Sequence, residues 1–285
     1  MKRLVYITSL GHSGSTLLDL VLGAHPVMVG LGEISSVLDE EPEQVRRTRQ
    51  STCSCGRRVD ECEFWGGLIT RVFEEEGSFE DRYRRVLEAF WRRFGEEVIP
   101  VDSSKSRGNI PLLLAQGDLE LSVIHLVRDV RSFTVSKIDN ARRKIRKGRK
   151  LEVYSRRRYL SPLFCFWFWY KWNRSTGRLL RSLGVPHLRV GYERLCLETE
   201  DVVREICSFL RLPAAASMLD LSDSRSHVIR GNRMRRDPDK RRAIHYDTRW
   251  FSRNDWVLWA WLLRPIMRYN ATAVYSNSTK KMWER

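Results

Sequence analysis

Leu4-Val5-Tyr6-Ile7-Thr8 is an unbroken β-branched and aromatic run, the pattern of a strand buried on both faces. The small residues Ser9 to Ser15 follow, and Thr16 to Ala24 then places Leu17, Leu18, Val21 and Leu22 on one helical face. His25-Pro26 stops that helix, and Val27-Met28-Val29 predicts a second short strand. The pattern thins over residues 39–63, which are polar. It returns at Phe79 to Phe94, where Tyr83, Val86, Leu87, Phe90, Trp91 and Phe94 keep the i, i+3, i+4 spacing of an amphipathic helix. Val98 to Val101 leads into Asp102-Ser103-Ser104-Lys105. Leu121 to Val127 is a second apolar run, ending at Arg128-Asp129, and Pro186 to Val190 is a weaker strand before Gly191-Tyr192-Glu193.

Strands alternating with helices predict an α/β fold: a central parallel sheet flanked by helices on both faces. Ligands of such sheets bind beyond the carboxyl ends of the strands. Gly11 to Thr16, Asp102 to Lys105, Arg128 and Tyr192 each follow a predicted strand, so they form one candidate site. No internal repeat or linker interrupts the chain, and residues 1–285 are expected to be a single domain.

Composition narrows the partners. With 42% hydrophobic and 11% aromatic residues, wholesale disorder is excluded. The net charge of +16 favours anionic partners without naming one. The most apolar stretch, Leu160 to Tyr170, is about half the ~20 residues of a membrane span, so any membrane contact is expected to be peripheral. The apolar run after Met1-Lys2-Arg3 is too short for a signal peptide, and six cysteines are too few for a disulfide scaffold. A cytoplasmic protein is the expectation.

Two motifs carry chemistry. Gly11-His12-Ser13-Gly14-Ser15-Thr16 lies between a strand and a helix N-terminus, where glycines, free N–H groups and the helix dipole attract an anion. It is P-loop-like, yet its ending reads Gly14-Ser15-Thr16, without the lysine. A plain tight turn is the other reading. In the second motif, Arg128 leaves a buried strand and Ser136 lies eight positions on, about two helical turns away. A tight strand–helix junction turns both toward one anion; otherwise they are a surface arginine and a solvated serine.

Together these motifs resemble the sulfotransferases that use 3′-phosphoadenosine 5′-phosphosulfate, PAPS. That family grips the 5′-phosphosulfate with a strand–loop–helix bearing a basic residue, then Ser/Gly-Gly-Ser/Thr-Thr. It grips the 3′-phosphate with an Arg and a Ser eight residues later. Here those segments read His12-Ser13-Gly14-Ser15-Thr16 and Arg128 to Ser136. The similarity continues through Gly23-Ala24-His25-Pro26 with Glu33 downstream, and through Val101-Asp102-Ser103-Ser104-Lys105. Further on come Tyr192-Glu193-Arg194-Leu195 and a helix ending Phe209-Leu210-Arg211-Leu212-Pro213. His227 to Arg235 looks like the loop that closes over the nucleotide. The match spans residues 4–250 in order.

The resemblance implies a P-loop-like α/β enzyme moving the sulfuryl group of PAPS to an acceptor hydroxyl, on a carbohydrate or another small hydroxylated molecule. Gly11, His12, Ser13, Gly14, Ser15 and Thr16 would cradle the 5′-phosphosulfate; Arg128, Ser136 and Arg235 would hold the 3′-phosphate, and Tyr192 would contact the adenine. His12 departs from the family's Lys or Arg and acts only when protonated or as a hydrogen-bond donor. Lys105 would then supply the permanent charge. Glu33 is the natural general base, beside the phosphosulfate loop; a glutamate favoured by the dipole at a helix start is the alternative. The mechanism requires no metal, and no nucleic-acid partner is expected. The rivals are an ATP-dependent P-loop phosphotransferase, disfavoured by the missing loop lysine, and a basic nucleic-acid-binding protein, disfavoured because the basic residues are dispersed.

Cys53-Ser54-Cys55-Gly56 and Cys62 cluster before Phe64-Trp65. Zinc would need a fourth ligand, and none lies nearby in sequence. A disulfide between Cys62 and one of the pair, free thiols packed as small hydrophobes, and a metal site are all open. Cys165, Cys196, Cys207 and His125 sit among apolar neighbours and read as core. The aromatic run Phe164 to Tyr170 reads as a buried helix before an acceptor platform. Arg142 to Lys150, with seven cations in nine residues, reads as a solvated loop that can steer anions.

Overall fold

The computed structural model describes residues 1–148, 160–222, 224–231, 233–237 and 243–276. Among these, five strands form one all-parallel sheet in the order β2-β3-β1-β4-β5. They are β1 (Lys2–Ser9), β2 (Met28–Gly32), β3 (Ile99–Lys105), β4 (Leu119–Val127) and β5 (His187–Gly191). The chain builds β2 and β3 on one side of β1, then crosses to build β4 and β5 on the other. That reversal of strand order is where such sheets open a crevice for ligands.

The alternation of β1 explains its two-sided cover. Leu4 and Tyr6 enter a core with Tyr83, Val86, Leu87 and Phe90 of the helix Phe79–Phe94. Val5 and Ile7 face the other way, toward Leu18 and Val21 of the helix Ser15–Gly23 and Ile206 of the helix Thr199–Phe209. Each fully buried aliphatic side chain contributes about 1.5–3 kcal/mol, so the apolar run stabilises both faces at once. The helix Phe79–Phe94 occupies the predicted residues, and a capping box starts it. Ser78 Oγ accepts the Asp81 N–H at 3.2 Å, and the Asp81 carboxylate accepts the Ser78 N–H at 3.0 Å.

Register breaks occur where the site begins. β1 and β4 pair without interruption from Lys2–Leu119 to Ser9–Leu126. β1 and β3 lose register between Tyr6 and Thr8, and β2 and β3 between Gly30 and Gly32. Such irregularities re-aim the residues that follow. Thr8 Oγ1 holds the Lys105 carbonyl at 2.9 Å and Tyr6 OH holds that of Ser106 at 2.7 Å, which fixes the new direction.

A third core joins Phe133 of the helix Val130–Arg146, Phe166 and Trp169 of the helix Pro162–Ser182, and Ile266 of the helix Arg264–Val274. The aromatic run is therefore largely a buried helix face, although Trp167 is exposed. Cys165, Cys207 and His125 are buried as expected, but Cys196 is only half-buried. The basic run is not a loop from its start: residues 142–146 are the solvated last turns of the helix Val130–Arg146, where cations suit the C-terminal dipole, and Arg149 and Lys150 lie outside the described residues. No helix among the described residues is long and apolar enough to cross a membrane.

Gly191 closes β5 under the last of these helices. A Cβ there would stand 1.9 Å from the Val274 carbonyl oxygen, and neither backbone segment can yield cheaply. Its φ of −84° suits alanine, so a substitution tests the steric contact alone. Gly191→Ala is expected to lower stability by ~1–3 kcal/mol, read from urea unfolding.

Candidate active site at the carboxyl ends of the strands

All five strands end on one cleft of about 520 Å³. β1 delivers the loop Gly11 to Thr16, β2 delivers Glu33, and β3 delivers Lys105. Arg128 follows β4 and Tyr192 follows β5, and Ser136 reaches the same cleft from the helix Val130–Arg146.

The loop after β1 leaves the start of the next helix open to the cleft. Gly14 is the N-cap of the helix Ser15–Gly23, with φ 93° and no side chain capping the helix, and its first turn carries no acidic residue. The amide ends and the positive end of the dipole are thus directed at the cleft. Gly14 is required twice: for its left-handed φ, and because a Cβ would stand 2.3 Å from the Tyr192 ring. His12 and Lys105 are non-glycine residues held in the same left-handed region, at φ 74° and 71°. Each such residue costs of order 1–3 kcal/mol, and both line this cleft.

His12 is held neutral. Burial and the nearby cations Lys137, Lys105 and Arg128 lower its pKa from 6.5 to about 4. Stability linked to His12 is therefore whole above pH 6.5 and is lost as pH falls from there toward 4.

Glu33 sits at the N-cap of the short helix Ile34–Leu38, and its carboxylate pairs with the Lys105 ammonium. Ser36 Oγ donates to its other oxygen at 3.3 Å. The supporting frame comes from the motif Asp102 to Lys105. Buried Asp102 accepts from Tyr83, Ser104 Oγ and the Ser104 N–H, and Ser104 Oγ in turn accepts the Ser35 N–H at 2.9 Å. From the other side, buried Asp19 accepts the Gly32 N–H at 3.1 Å. Glu33 thus stands on a turn clamped from two elements.

Arg128 is the most constrained cation in the cleft. Its guanidinium donates to Ser132 Oγ (2.8 Å), the His12 carbonyl (2.8 Å) and Asp247 (2.7 Å), and it lies 4.6 Å from the Tyr192 ring centroid. Asp247 also pairs with Arg249. Burial opposes ionisation of Asp247, but Arg249 and Arg128 outweigh it and hold the carboxyl well below its usual range. A carboxylate thus occupies the seat that two arginines make for an anion.

Two expected residues are placed elsewhere. Ser13 is buried beneath the loop, its N–H bonded to the Leu10 carbonyl at 3.2 Å, and does not line the cleft. Arg235 is buried too, and its guanidinium donates to the carbonyls of Val228, Ile229 and Gly231. These bonds fasten the loop, and Arg235 does not line the cleft. From that loop Arg230 and Gly231 reach the cleft, and a Cβ on Gly231 would lie 3.2 Å from Thr16 Oγ1 and 3.6 Å from Glu33 Oε1. Arg230, Asp247 and Arg249 were not singled out from sequence. Arg230 lies inside a segment that was, whereas nothing in the pattern around Asp247 and Arg249 marks them.

No family model and no curated protein matches this chain. Solved structures do. The sulfotransferase domain from the curacin biosynthetic pathway has a TM-score of 0.53 with 18% identity, covering 93% of this chain and 98% of that one. The sulfotransferase domain from the Synechococcus PCC 7002 olefin synthase has 0.47 with 18% identity, covering 92% and 94%. Sulfotransferase STF9 from Mycobacterium avium has 0.49 with 14% identity, covering 97% and 78%. At 18% identity the likeness to the curacin-pathway domain is one of fold: the chain has the α/β fold of a sulfotransferase domain.

Proposed function

We propose that this protein transfers a sulfuryl group from PAPS to the hydroxyl of a carbohydrate or another small molecule. The observation that carries this reading is the single cleft joining an uncapped helix N-terminus, a Glu–Lys pair and a seated arginine. In the reaction the acceptor oxygen forms a bond to sulfur, the bond from sulfur to the 5′-phosphate oxygen breaks, and Glu33 takes the acceptor proton. Positioning and charge neutralisation dominate a loose transition state of this kind. Gly14, Ser15 and Thr16, at the start of the helix, face the phosphosulfate with their amide groups. Lys105 supplies the permanent positive charge that neutral His12 lacks. Arg128, with Ser136 lining the same cleft, receives the 3′-phosphate in place of Asp247, and Tyr192 borders the nucleotide.

Calorimetric titration with adenosine 3′,5′-bisphosphate, ATP and duplex DNA tests the donor. Binding of the bisphosphate with at least ~10-fold preference over ATP is expected; equal binding, or salt-steep binding of DNA alone, would sink the reading. Transfer is then sought with PAPS and a panel of sugars, phenols and lipids. His12 gives an independent check by nuclear magnetic resonance. Its ring should titrate near pH 4 in the free protein. Bound bisphosphate should move that midpoint upward, because nearby anions favour the imidazolium. An unmoved midpoint would place the phosphates away from the loop.

A further inference from the structure

The fold brings a fourth ligand to the cysteine cluster. His227 lies 165 positions beyond Cys62 in sequence, yet its Nδ1 stands 3.2 Å from the Cys62 sulfur. Cys62 Sγ is 3.8 Å from both Cys53 Sγ and Cys55 Sγ, far outside bonding distance for a disulfide. All four ligand atoms lie within 4.8 Å of one another. A tetrahedron with zinc–sulfur bonds of ~2.3 Å has sulfur–sulfur edges of ~3.8 Å. We propose that Cys53, Cys55, Cys62 and His227 bind one structural zinc ion.

The surroundings are those of a ligand set. Backbone N–H groups of Phe64 and Trp65 donate to the Cys62 sulfur, that of Arg57 to the Cys55 sulfur, and that of Cys55 to the Cys53 sulfur. Such donors stabilise thiolates, the form that binds metal. His227 turns Nδ1 to the cluster and Nε2 to Glu63 Oε1 at 3.3 Å, a carboxylate partner that fixes the ring and its tautomer. Cys53, Cys62 and His227 are buried, whereas exposed Cys55 borders a surface cavity of about 290 Å³ that gives an ion a way in. All four positions hold a protein ligand, so the site is closed and structural rather than catalytic.

Its place in the fold gives the ion a task. Ser54, between two of the ligands, bonds to the Ser226 carbonyl at 2.8 Å and accepts the Val228 N–H at 2.8 Å. Trp65 Nε1 donates to the His227 carbonyl. The same stretch runs on to Arg230 and Gly231 at the active-site cleft. Zinc would bolt the cysteine knuckle to the wall of the cleft.

The full chain, expressed with zinc and purified without chelators, should carry about one zinc per molecule by elemental analysis. Cobalt exchanged into it should show intense thiolate-to-cobalt absorption and tetrahedral ligand-field bands, and stripping the metal should lower the melting temperature. Cys55→Ser changes the exposed ligand and should abolish the thiolate spectrum's full intensity while the protein remains folded. Glu63→Gln keeps all four ligands and should weaken zinc affinity by ~10–100-fold. Substoichiometric zinc with no thiolate–cobalt band would overturn the proposal. So would a denatured, unreduced protein titrating two fewer thiols than its six cysteines, which would mean a disulfide. None of these readouts depends on PAPS, so the zinc and sulfuryl-transfer readings fail separately.

Discussion

Glu33→Gln is expected to lower turnover by ~10²–10⁴ while bisphosphate affinity stays nearly intact, once an acceptor is in hand. The amide keeps the shape of the side chain and still accepts from Ser36, but it cannot take the acceptor proton. It also breaks the ion pair with Lys105, which is 21% exposed and held by the fold at φ 71°. Each partner is only about one-fifth exposed, so losing the pair is expected to lower the melting temperature measurably, and unfolding is followed alongside turnover. The plainer role, a carboxylate favoured by the dipole of a five-residue helix, predicts the opposite split: a small stability loss and turnover largely unchanged. Near-normal turnover in a folded variant would move the base elsewhere. His12, neutral above about pH 4, would be examined next through the turnover of His12→Gln.

The strands and the long amphipathic helix were legible because their side chains answer to local periodicity. β1 extends the Leu4–Thr8 run by two residues before it and one after, and the helix Phe79–Phe94 coincides with its apolar stripe. Residues that follow a strand were legible for the same reason, since a parallel sheet sends every such residue to one edge. Glu33, Lys105, Arg128 and Tyr192 meet there on topology alone. Arg235 was misplaced because a basic residue in a loop does not declare its partner. Here its guanidinium is bonded to three backbone carbonyls of the same loop. Asp247 and Arg249 carry no local signal because their role is relational: Asp247 pairs with Arg128, more than 100 positions away, and Arg249 pairs with Asp247. His227 was missed as a ligand for a like reason. A search for zinc ligands near the cysteines in sequence cannot find a residue delivered by the loop that packs on them.

Arg128→Ala should weaken binding of adenosine 3′,5′-bisphosphate by ~1.5–3 kcal/mol, or roughly 10–150-fold, the scale of hydrogen bonds from a charged donor. The arginine also carries structural contacts, to the His12 carbonyl and the Tyr192 ring, so a loss of affinity alone could reflect a collapsed loop. Adenosine 5′-phosphosulfate, which has the loop-facing group but no 3′-phosphate, separates the two. If Arg128 seats the 3′-phosphate, the variant should lose affinity for the bisphosphate and much less for the phosphosulfate. Equal losses for both ligands would mean that Arg128 merely props the loop. Arg128→Lys should recover little, because an ammonium cannot reach Ser132, the His12 carbonyl and a phosphate with one planar fork. Asp247→Asn should act in the opposite sense. It removes a competing negative charge while keeping an acceptor for Arg128, and should tighten bisphosphate binding several-fold. A bisphosphate affinity unchanged in all three variants would place the 3′-phosphate outside the arginine seat.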